Sequence, residues 1–158
     1  NIPGRCVVDM TIETLSKLAK LDKIIGIKDA TADISRISLQ RNSLGKDFIQ
    51  LSGEDMTALG LMAHGGHGCI SVTSNIAPKL CSEFQLSCLS KDYSTALRIQ
   101  DKLTPLHQAL FIETSPAPVK YGMSLLGFCD EIVRLPLVGV TDATKESVKK
   151  AMVFAGLI

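Results

Sequence analysis

The sequence has no block of basic residues and no long apolar run. Its 17 Lys and Arg residues nearly balance 16 Asp and Glu residues, so the net charge at pH 7 is only +1. A protein that binds nucleic acid through phosphate neutralisation needs a clear basic surplus, and a transmembrane helix needs about 20 consecutive apolar residues. We therefore expect neither a nucleic acid nor a membrane as a partner.

The five cysteines occur in an odd number and never with C-x-x-C spacing. The spacing argues against a zinc site, and the odd count argues against a framework of disulfides. Unpaired thiols are typical of proteins in a reducing compartment. The cysteine pattern therefore predicts a cytoplasmic protein.

The glycine-rich segment at residues 64–68 reads HGGHG. His64 and His67 lie three residues apart, but no carboxylate accompanies them at ligand spacing, so we predict no metal site. The glycines form neither G-x-G-x-x-G nor a P-loop, and the chain contains no G-x-S-x-G. Nucleotide binding and serine hydrolysis therefore have no support.

What the chain does have is a regular alternation of short apolar runs with helical periodicity over residues 1–90. The runs predict strands at Ile24–Lys28, Asp47–Ser52 and Cys69–Thr73. The periodicity predicts helices at Thr11–Lys20 and Asp33–Leu44, and two more that Asp55 and Asn75 cap. Strands alternating with helices favour a parallel sheet, as in an open doubly wound sheet or a closed (β/α)8 barrel.

From residue 91 onward the pattern predicts helices alone. Helical stretches are expected at residues 93–111, with Pro105 inside, at 115–127 and at 144–155, each of the last two closed by a glycine. We therefore predict an α/β protein with two domains. Residues 1–90 form a partial (β/α)8 TIM barrel with its later strands and helices, and residues 91–158 form an all-helical C-terminal domain.

The first residues of the chain are relevant to the prediction that the barrel is partial. Asn1–Arg5 reads NIPGR and predicts a turn, because proline fixes its own backbone and glycine permits unusual angles. No methionine precedes it. We interpret the chain as the latter part of a longer protein.

Lys28 follows the apolar run IIGI and is the leading candidate for chemistry. A run of this kind fits a strand that is buried on both faces, and in barrel enzymes the reacting groups collect at the carboxyl ends of the strands. A lysine among apolar neighbours loses its proton more readily, and the neutral amine forms a Schiff base with a carbonyl substrate. The same pattern also fits a lysine that ends a strand and points into water.

Three further residues would lie at the same end of such a barrel. Arg5 follows a turn and has the guanidinium that binds a carboxylate, although a surface arginine on a loop is by itself the more common case. Gly53 ends the second predicted strand, where a missing side chain lets a ligand approach, or it is an ordinary strand-ending glycine. Ile70 lies in the third strand and is by default a core residue, although its backbone could also face the site.

Four segments occur in the order and spacing of one known family. They are NIPGR at residues 1–5, GIKDAT at 26–31, LSGEDMTAL at 51–59 and GGHGCISVTSN at 65–75. With KLTPLHQALFIETSPAPVKYGMSLLG and VRLPL in the tail, they closely resemble the dihydrodipicolinate synthase family. This family of pyruvate-dependent class I aldolases also holds N-acetylneuraminate lyase. The resemblance covers essentially the whole chain and implies the C-terminal half of a (β/α)8 barrel followed by a helical domain.

The resemblance implies an enzyme of lysine (diaminopimelate) biosynthesis. It would condense pyruvate with L-aspartate 4-semialdehyde to 4-hydroxy-tetrahydrodipicolinate. Lys28 falls on the family's Schiff-base lysine, and Arg5 falls on the arginine that binds the carboxylate of the second substrate. Ile70 and Gly53 fall on residues that line the site. No cofactor and no metal are implied beyond the imine between Lys28 and pyruvate, and homotetramers are typical of the family.

The sequence also departs from the family. The family's proton-donating tyrosine directly precedes the Asn of N-x-P-x-R, whereas this chain starts at that Asn and carries tyrosines only at Tyr93 and Tyr121. We therefore expect the chain by itself to be inactive. Two alternatives stay open: another pyruvate-dependent aldolase that acts on a sugar acid, which Arg5 disfavours, and a truncated, catalytically dead product.

Overall fold

The computed structural model describes all 158 residues, Asn1–Ile158. Its strands are β1 (Gly26–Asp29), β2 (Ile49–Ser52) and β3 (Gly68–Cys69). Its α-helices are α1 (Pro3–Cys6), α2 (Ile12–Leu18), α3 (Ser35–Leu44), α4 (Ala58–Ala63), α5 (Pro78–Leu89), α6 (Tyr93–Ala109), α7 (Ala117–Leu125) and α8 (Asp142–Phe154). Two short 3-10 helices cover Asp55–Thr57 and Thr73–Asn75. None of the helices combines the length and the apolar character that a membrane span requires.

The three strands form one parallel sheet in the order β1-β2-β3. Lys28 pairs with Leu51 and Asp29 pairs with Ser52, so the carboxyl ends of β1 and β2 lie at the same level. Helices connect successive strands, as parallel pairing requires. The predicted α/β class and parallel sheet are confirmed.

The chain divides into two compact units. The first contains Asn1–Ser71 and Cys88–Asp92, and the second contains Val72–Ser87 and Tyr93–Ile158. This division differs from the predicted boundary at residue 90, because Ile76 and Ala77 are buried in the same core cluster as residues of α6, α7 and α8. The assignment of residues 1–90 to a partial barrel and 91–158 to a helical domain stays a prediction.

Each unit has its own apolar core. In the first unit Leu15 of α2, Ile27 of β1 and Phe48 form a buried cluster, with Met10, Ala19 and Leu44 packed against it. In the second unit the buried cluster contains Leu103, Leu106, Val148 and Met152, among others. The contacts between α6 and α8 and between α7 and α8 hold this helical unit together.

Several helix ends follow the predicted signals. The Thr11 hydroxyl accepts a hydrogen bond from the Thr14 N–H at 3.1 Å and caps α2. Gly45 ends α3 with φ +84°, and Gly156 follows α8 with φ +71°. These left-handed conformations are costly for residues with a Cβ.

Other local predictions are wrong. Asn1–Arg5 is not a simple turn, because Pro3 starts the short helix α1, which Val7 closes with φ +59°. The predicted strand Cys69–Thr73 shrinks to Gly68–Cys69, and Thr73 instead enters a 3-10 helix, where its side chain is buried. Burial of the Thr73 hydroxyl against His107, at 2.7 Å from Nδ1, outweighs the β preference of this stretch.

The predicted caps Asp55 and Asn75 also act differently. Glu54, not Asp55, accepts a hydrogen bond from the Met56 N–H, and Asp55 is buried. The Asn75 side chain donates to the carbonyl of Val72 rather than capping α5.

Candidate active site

The candidate site lies at the carboxyl ends of the parallel strands, where Lys28, Gly53 and Ile70 occur in β1, after β2 and after β3. Backbone hydrogen bonds continue past the strands, since the Gly53 N–H donates to the Asp29 carbonyl at 2.7 Å and the Ile70 N–H donates to the Ser52 carbonyl at 2.8 Å. These bonds fix Gly53 and Ile70 at the same edge of the sheet as Lys28.

Gly53 lies directly against the side chain of Lys28. A Cβ at position 53 would lie 2.6 Å from Lys28 Cε and 2.8 Å from Ala30 Cβ. Both distances are shorter than carbon atoms tolerate, so Lys28 keeps its position only while residue 53 is glycine. The two predicted site residues are therefore in contact.

Lys28 itself is exposed, and so are the preceding Ile24 and Ile25. Ile27 and Asp29 are buried on the opposite face of the strand. The prediction that β1 is buried on both faces is wrong for this chain, because the face that carries Lys28 has no covering layer. The amine is therefore accessible to a small carbonyl compound.

The segment that carries Arg5 joins β1 through backbone hydrogen bonds. The amino group of Asn1 donates to the Lys28 carbonyl at 2.7 Å, and the Ala30 N–H donates to the Asn1 carbonyl at 2.8 Å. Asn1 thus pairs with the strand end in the pattern of a parallel ladder. The Arg5 side chain lies in the last turn of α1 and is exposed, without a hydrogen bond or ion pair. Ile70 is also half exposed, at 49%.

A network of charges lies on the buried face beneath Lys28. Arg36 of α3 binds Asp29 through Nε at 2.9 Å and Asp9 through Nη1 at 3.1 Å. Asp29 also accepts hydrogen bonds from the Thr31 N–H and hydroxyl, at 2.9 and 2.6 Å, and from the Gln40 amide at 3.2 Å. The carboxylate next to the candidate nucleophile is therefore fully hydrogen-bonded.

These partners determine the protonation state of Asp29. Burial raises the pKa of Asp29, but the hydrogen bonds from Thr31 and the charge and hydrogen bond of Arg36 outweigh burial and leave its pKa below the ordinary value. Asp29 is consequently ionised at neutral pH. Its charge is matched by Arg36 rather than by Lys28, which points to the other face.

Sequence reasoning did not identify Asp9, Asp29 and Arg36 as members of one network. One signal was present: alternation in β1 places Asp29 on the same face as Ile27, and a carboxylate there needs a cation. The identity of that cation follows only from the packing of α3 against β1. This packing brings Arg36, seven residues later in the sequence, into contact with Asp29.

His64 and His67 have separate contacts. The backbone N–H of Gln50 donates to His67 Nδ1 at 3.1 Å. The carbonyl of His64 accepts a hydrogen bond from the Arg41 guanidinium. No group of three or more His, Cys, Asp and Glu side chains is arranged to hold a metal ion. The predicted absence of a metal stays a prediction.

Comparison with known proteins identifies close relatives. A model of the dihydrodipicolinate synthetase family matches residues 1–154. Over 158 residues the chain is 63% identical to 4-hydroxy-tetrahydrodipicolinate synthase of Afipia carboxidovorans and 60% identical to that of Bradyrhizobium diazoefficiens. Each alignment covers 100% of this chain and 53% of the relative. The chain therefore spans about half the length of the curated relatives that it matches.

Solved structures have the same fold. Dihydrodipicolinate synthase from Aquifex aeolicus matches with a TM-score of 0.95 at 35% identity, over 99% of this chain and 54% of that chain. The chloride-inhibited enzyme from Acinetobacter baumannii, complexed with pyruvate, matches with a TM-score of 0.95 at 40% identity, over 100% and 54%. A monomeric dihydrodipicolinate synthase variant matches with a TM-score of 0.93 at 37% identity, over 100% and 54%.

Proposed function

The chain belongs to the dihydrodipicolinate synthetase family, and on this premise we propose that it supplies the Schiff-base lysine of a 4-hydroxy-tetrahydrodipicolinate synthase. The reaction would condense pyruvate with L-aspartate 4-semialdehyde in lysine biosynthesis. The chain would be the C-terminal half of a (β/α)8 barrel with its helical domain. We propose that the condensation also needs residues outside this chain.

One observation carries the proposal: the exposed side chain of Lys28 lies with its aliphatic carbons against Gly53 at the carboxyl end of β1. In barrels of this kind the reacting groups come from the carboxyl ends of the strands. A Cβ at position 53 would occupy the space of the Lys28 side chain. Glycine there leaves the lysine a defined path along the strand end to a bound substrate.

The proposed chemistry starts with attack of the neutral Lys28 amine on the keto carbon of pyruvate. Loss of water gives an iminium ion, whose nitrogen withdraws electrons when a methyl proton leaves, so that an enamine forms. The enamine carbon then bonds to the aldehyde carbon of the second substrate, while the aldehyde oxygen takes up a proton to become a hydroxyl and the imine to Lys28 forms again. The amine of that substrate attacks the imine carbon and displaces Lys28. The protonated imine is the electron sink, so we propose neither metal nor cofactor.

The other predicted residues would bind substrate. Arg5 stands on a segment whose backbone pairs with the end of β1, and its free guanidinium has the geometry for a carboxylate of the aldehyde substrate. Ile70, one residue beyond β3, would form an apolar wall for pyruvate. We further propose a cytoplasmic protein that functions as a homotetramer when complete.

Reductive trapping tests the role of Lys28. The chain is incubated with pyruvate and borohydride, and the peptides are mapped by mass spectrometry. We expect one reduced pyruvate on Lys28, none in Lys28→Ala, and an unchanged adduct in Lys23→Ala, which removes an exposed lysine just before β1. Gly53→Ala should slow formation of the adduct at least about tenfold, because displacement of a reacting group by about 1 Å lowers the reaction rate by at least that factor. Absence of an adduct in the wild type would overturn the proposal.

A chimera tests the substrate. The chain replaces the segment that it matches in the Afipia carboxidovorans enzyme, and the product is assayed with aspartate semialdehyde and with sugar-derived aldehydes. Turnover of aspartate semialdehyde that is lost in Arg5→Ala supports the proposal. Turnover of sugar aldehydes alone would favour a different aldolase of the family, and no turnover despite a Lys28 adduct would indicate an inactive product.

A further inference from the structure

We propose that Arg36 and Asp9 are positioning residues that hold the Arg5-bearing segment in register with Lys28. The inference rests on the proposed roles of Lys28 and Arg5. It concerns how two substrate-binding elements from different parts of the chain are kept at a fixed separation.

The guanidinium of Arg36 joins β1 to the segment before α2. Nε binds Asp29 of β1 at 2.9 Å, Nη1 binds Asp9 at 3.1 Å, and Nη2 donates to the Met10 carbonyl at 2.5 Å. The Arg36 side chain is 11% exposed, the Asp29 side chain is 4% exposed and the Asp9 side chain is 49% exposed. One planar cation therefore fixes a buried strand residue and a surface segment at the same time.

Asp9 extends the connection to Asn1. Its Oδ1 atom accepts a hydrogen bond from the Asn1 side-chain amide at 2.8 Å, and Asn1 Oδ1 accepts one from the Met10 N–H at 3.0 Å. The backbone of Asn1 in turn pairs with Lys28 and Ala30. The segment that contains α1 is thus tied to β1 at both of its ends, with Arg5 between them.

The position of Asp29 makes this connection specific to the site. Asp29 directly follows Lys28, and neighbouring residues of a strand point to opposite faces. The face beneath the sheet therefore carries the anchor, while the face above carries the amine. A shift of α1 relative to β1 would change the distance from Arg5 to Lys28, although neither residue belongs to the network.

A substitution of Asp9 can test the position of the Arg5-bearing segment without unfolding the protein. Loss of Arg36 would leave the buried Asp29 carboxylate without a cation, and loss of Asp29 would take from Arg36 its buried carboxylate partner, so either change would destabilise the fold. Asp9 is half exposed, and Arg36 keeps Asp29 when Asp9 is neutralised. We therefore expect Asp9→Asn to release the segment while the sheet and the Lys28 amine stay in place.

The first test measures the segment itself in this chain, without any substrate. Hydrogen exchange of the Ala30 amide, which donates to the Asn1 carbonyl, should speed up at least about tenfold in Asp9→Asn. The matched control is Glu13→Gln, which breaks the exposed ion pair with Lys17 and should leave Ala30 protection unchanged. Unchanged protection in Asp9→Asn would overturn the proposal, whatever the pyruvate trap shows.

The second test uses the chimera with the Afipia carboxidovorans enzyme. In Asp9→Asn we expect the KM for aspartate semialdehyde to rise at least about tenfold, while the KM for pyruvate and the rate of Lys28 trapping change less than about twofold. A raised KM with unchanged kcat is typical of lost substrate binding. An equal rise of both KM values, or a loss of kcat alone, would overturn the positioning role. Failure of the wild type to trap pyruvate would instead overturn the function of Lys28.

Discussion

Of the single residues, Asp29 is the one whose ionisation matters most for the stability of the folded state. Its carboxylate is buried, yet the hydrogen bonds of Thr31 and the charge of Arg36 keep its pKa below the ordinary value of an aspartate. A group with a lowered pKa in the folded state stabilises that state above its unfolded pKa, and the contribution is lost as the pH falls through the folded pKa. Asp29 should therefore stabilise the protein at neutral pH.

We expect Asp29→Asn to lower the free energy of unfolding at pH 7 by ~3 kcal/mol, because Arg36 then lacks one buried partner. The difference in free energy of unfolding between Asp29→Asn and the wild type should narrow as the pH falls below about 3.8, where the Asp29 carboxyl of the unfolded chain binds its proton. Urea denaturation over a pH series measures this. Asp22→Asn, which changes an exposed carboxylate, is the control. A difference that stays constant down to pH 2 would contradict the assignment.

Single residues also show which features of the candidate site could be predicted from the sequence. Lys28 and Gly53 were predicted separately, from strand-ending position and from resemblance, and the structure brings them into contact. A Lys28 that points into water was one of two interpretations of the sequence, whereas the exposed face of β1 differs from the expectation of burial on both faces. An apolar run does not reveal whether one face of a strand lacks a covering layer. The partner of Asp29 was missed for a related reason, since it depends on helix packing rather than on spacing.

At the scale of elements, the start of α8 depends on residues far apart in sequence. Thr141 caps the helix by accepting a hydrogen bond from the Thr144 N–H at 3.4 Å. The backbone N–H and hydroxyl of Thr141 donate to Glu113 at 2.9 and 2.8 Å. Hydrogen bonds from Thr144 and Thr141 also place the pKa of Glu113 below its ordinary value. The cap therefore fixes α8 to the turn that follows α6.

We expect Thr141→Ala to lower the free energy of unfolding by ~1 kcal/mol, the usual effect of losing an N-cap. Thermal denaturation followed by circular dichroism measures the loss. The matched control is Ser147→Ala in the same helix, whose hydroxyl bonds back to the Ala143 carbonyl and should contribute little. A Thr141→Ala variant as stable as this control would show that the cap is not needed.

Elements were predicted well where their signals are local. Thr11, Gly45 and Gly156 mark helix ends by their own chemistry, and the structure places helix ends there. Thr73 was misassigned to a strand because its side-chain hydrogen bond with His107 overrides a β-branched run. Asn75 was misassigned as a cap because its amide donates to the Val72 carbonyl instead. The short helix α1 was missed because four residues carry no periodicity.

At the scale of the whole molecule, the first unit exposes a strand edge and apolar side chains. Val7, Val8 and Ile25 are 90%, 69% and 68% exposed. In the strand order β1-β2-β3, β1 is an edge strand, and the single residue Asn1 pairs with its carboxyl end. Free strand edges and apolar patches favour association with another chain.

We therefore expect the isolated chain to self-associate as its concentration rises. Sedimentation velocity over a concentration series should show a shift to larger species. Ile25→Lys should reduce the shift, since a charge at the strand opposes edge pairing. Leu135→Lys alters an exposed leucine of the second unit and is the control. A chain that stays monomeric throughout, or a control with the same effect, would contradict the role of this surface.

Lys28 and Asp29 lie on opposite faces of β1, and this arrangement limits the insertions that the strand tolerates. One extra codon in the strand before Lys28 would exchange the faces of the two residues, sending the amine inward and the carboxylate outward. Two extra codons would restore their sides. In a library of insertions, the fraction of variants that keep a folded sheet should thus depend, for insertions between Gly26 and Lys28, on whether the number of added residues is odd or even. Insertions at residues 20–23, before the strand, should follow no such rule.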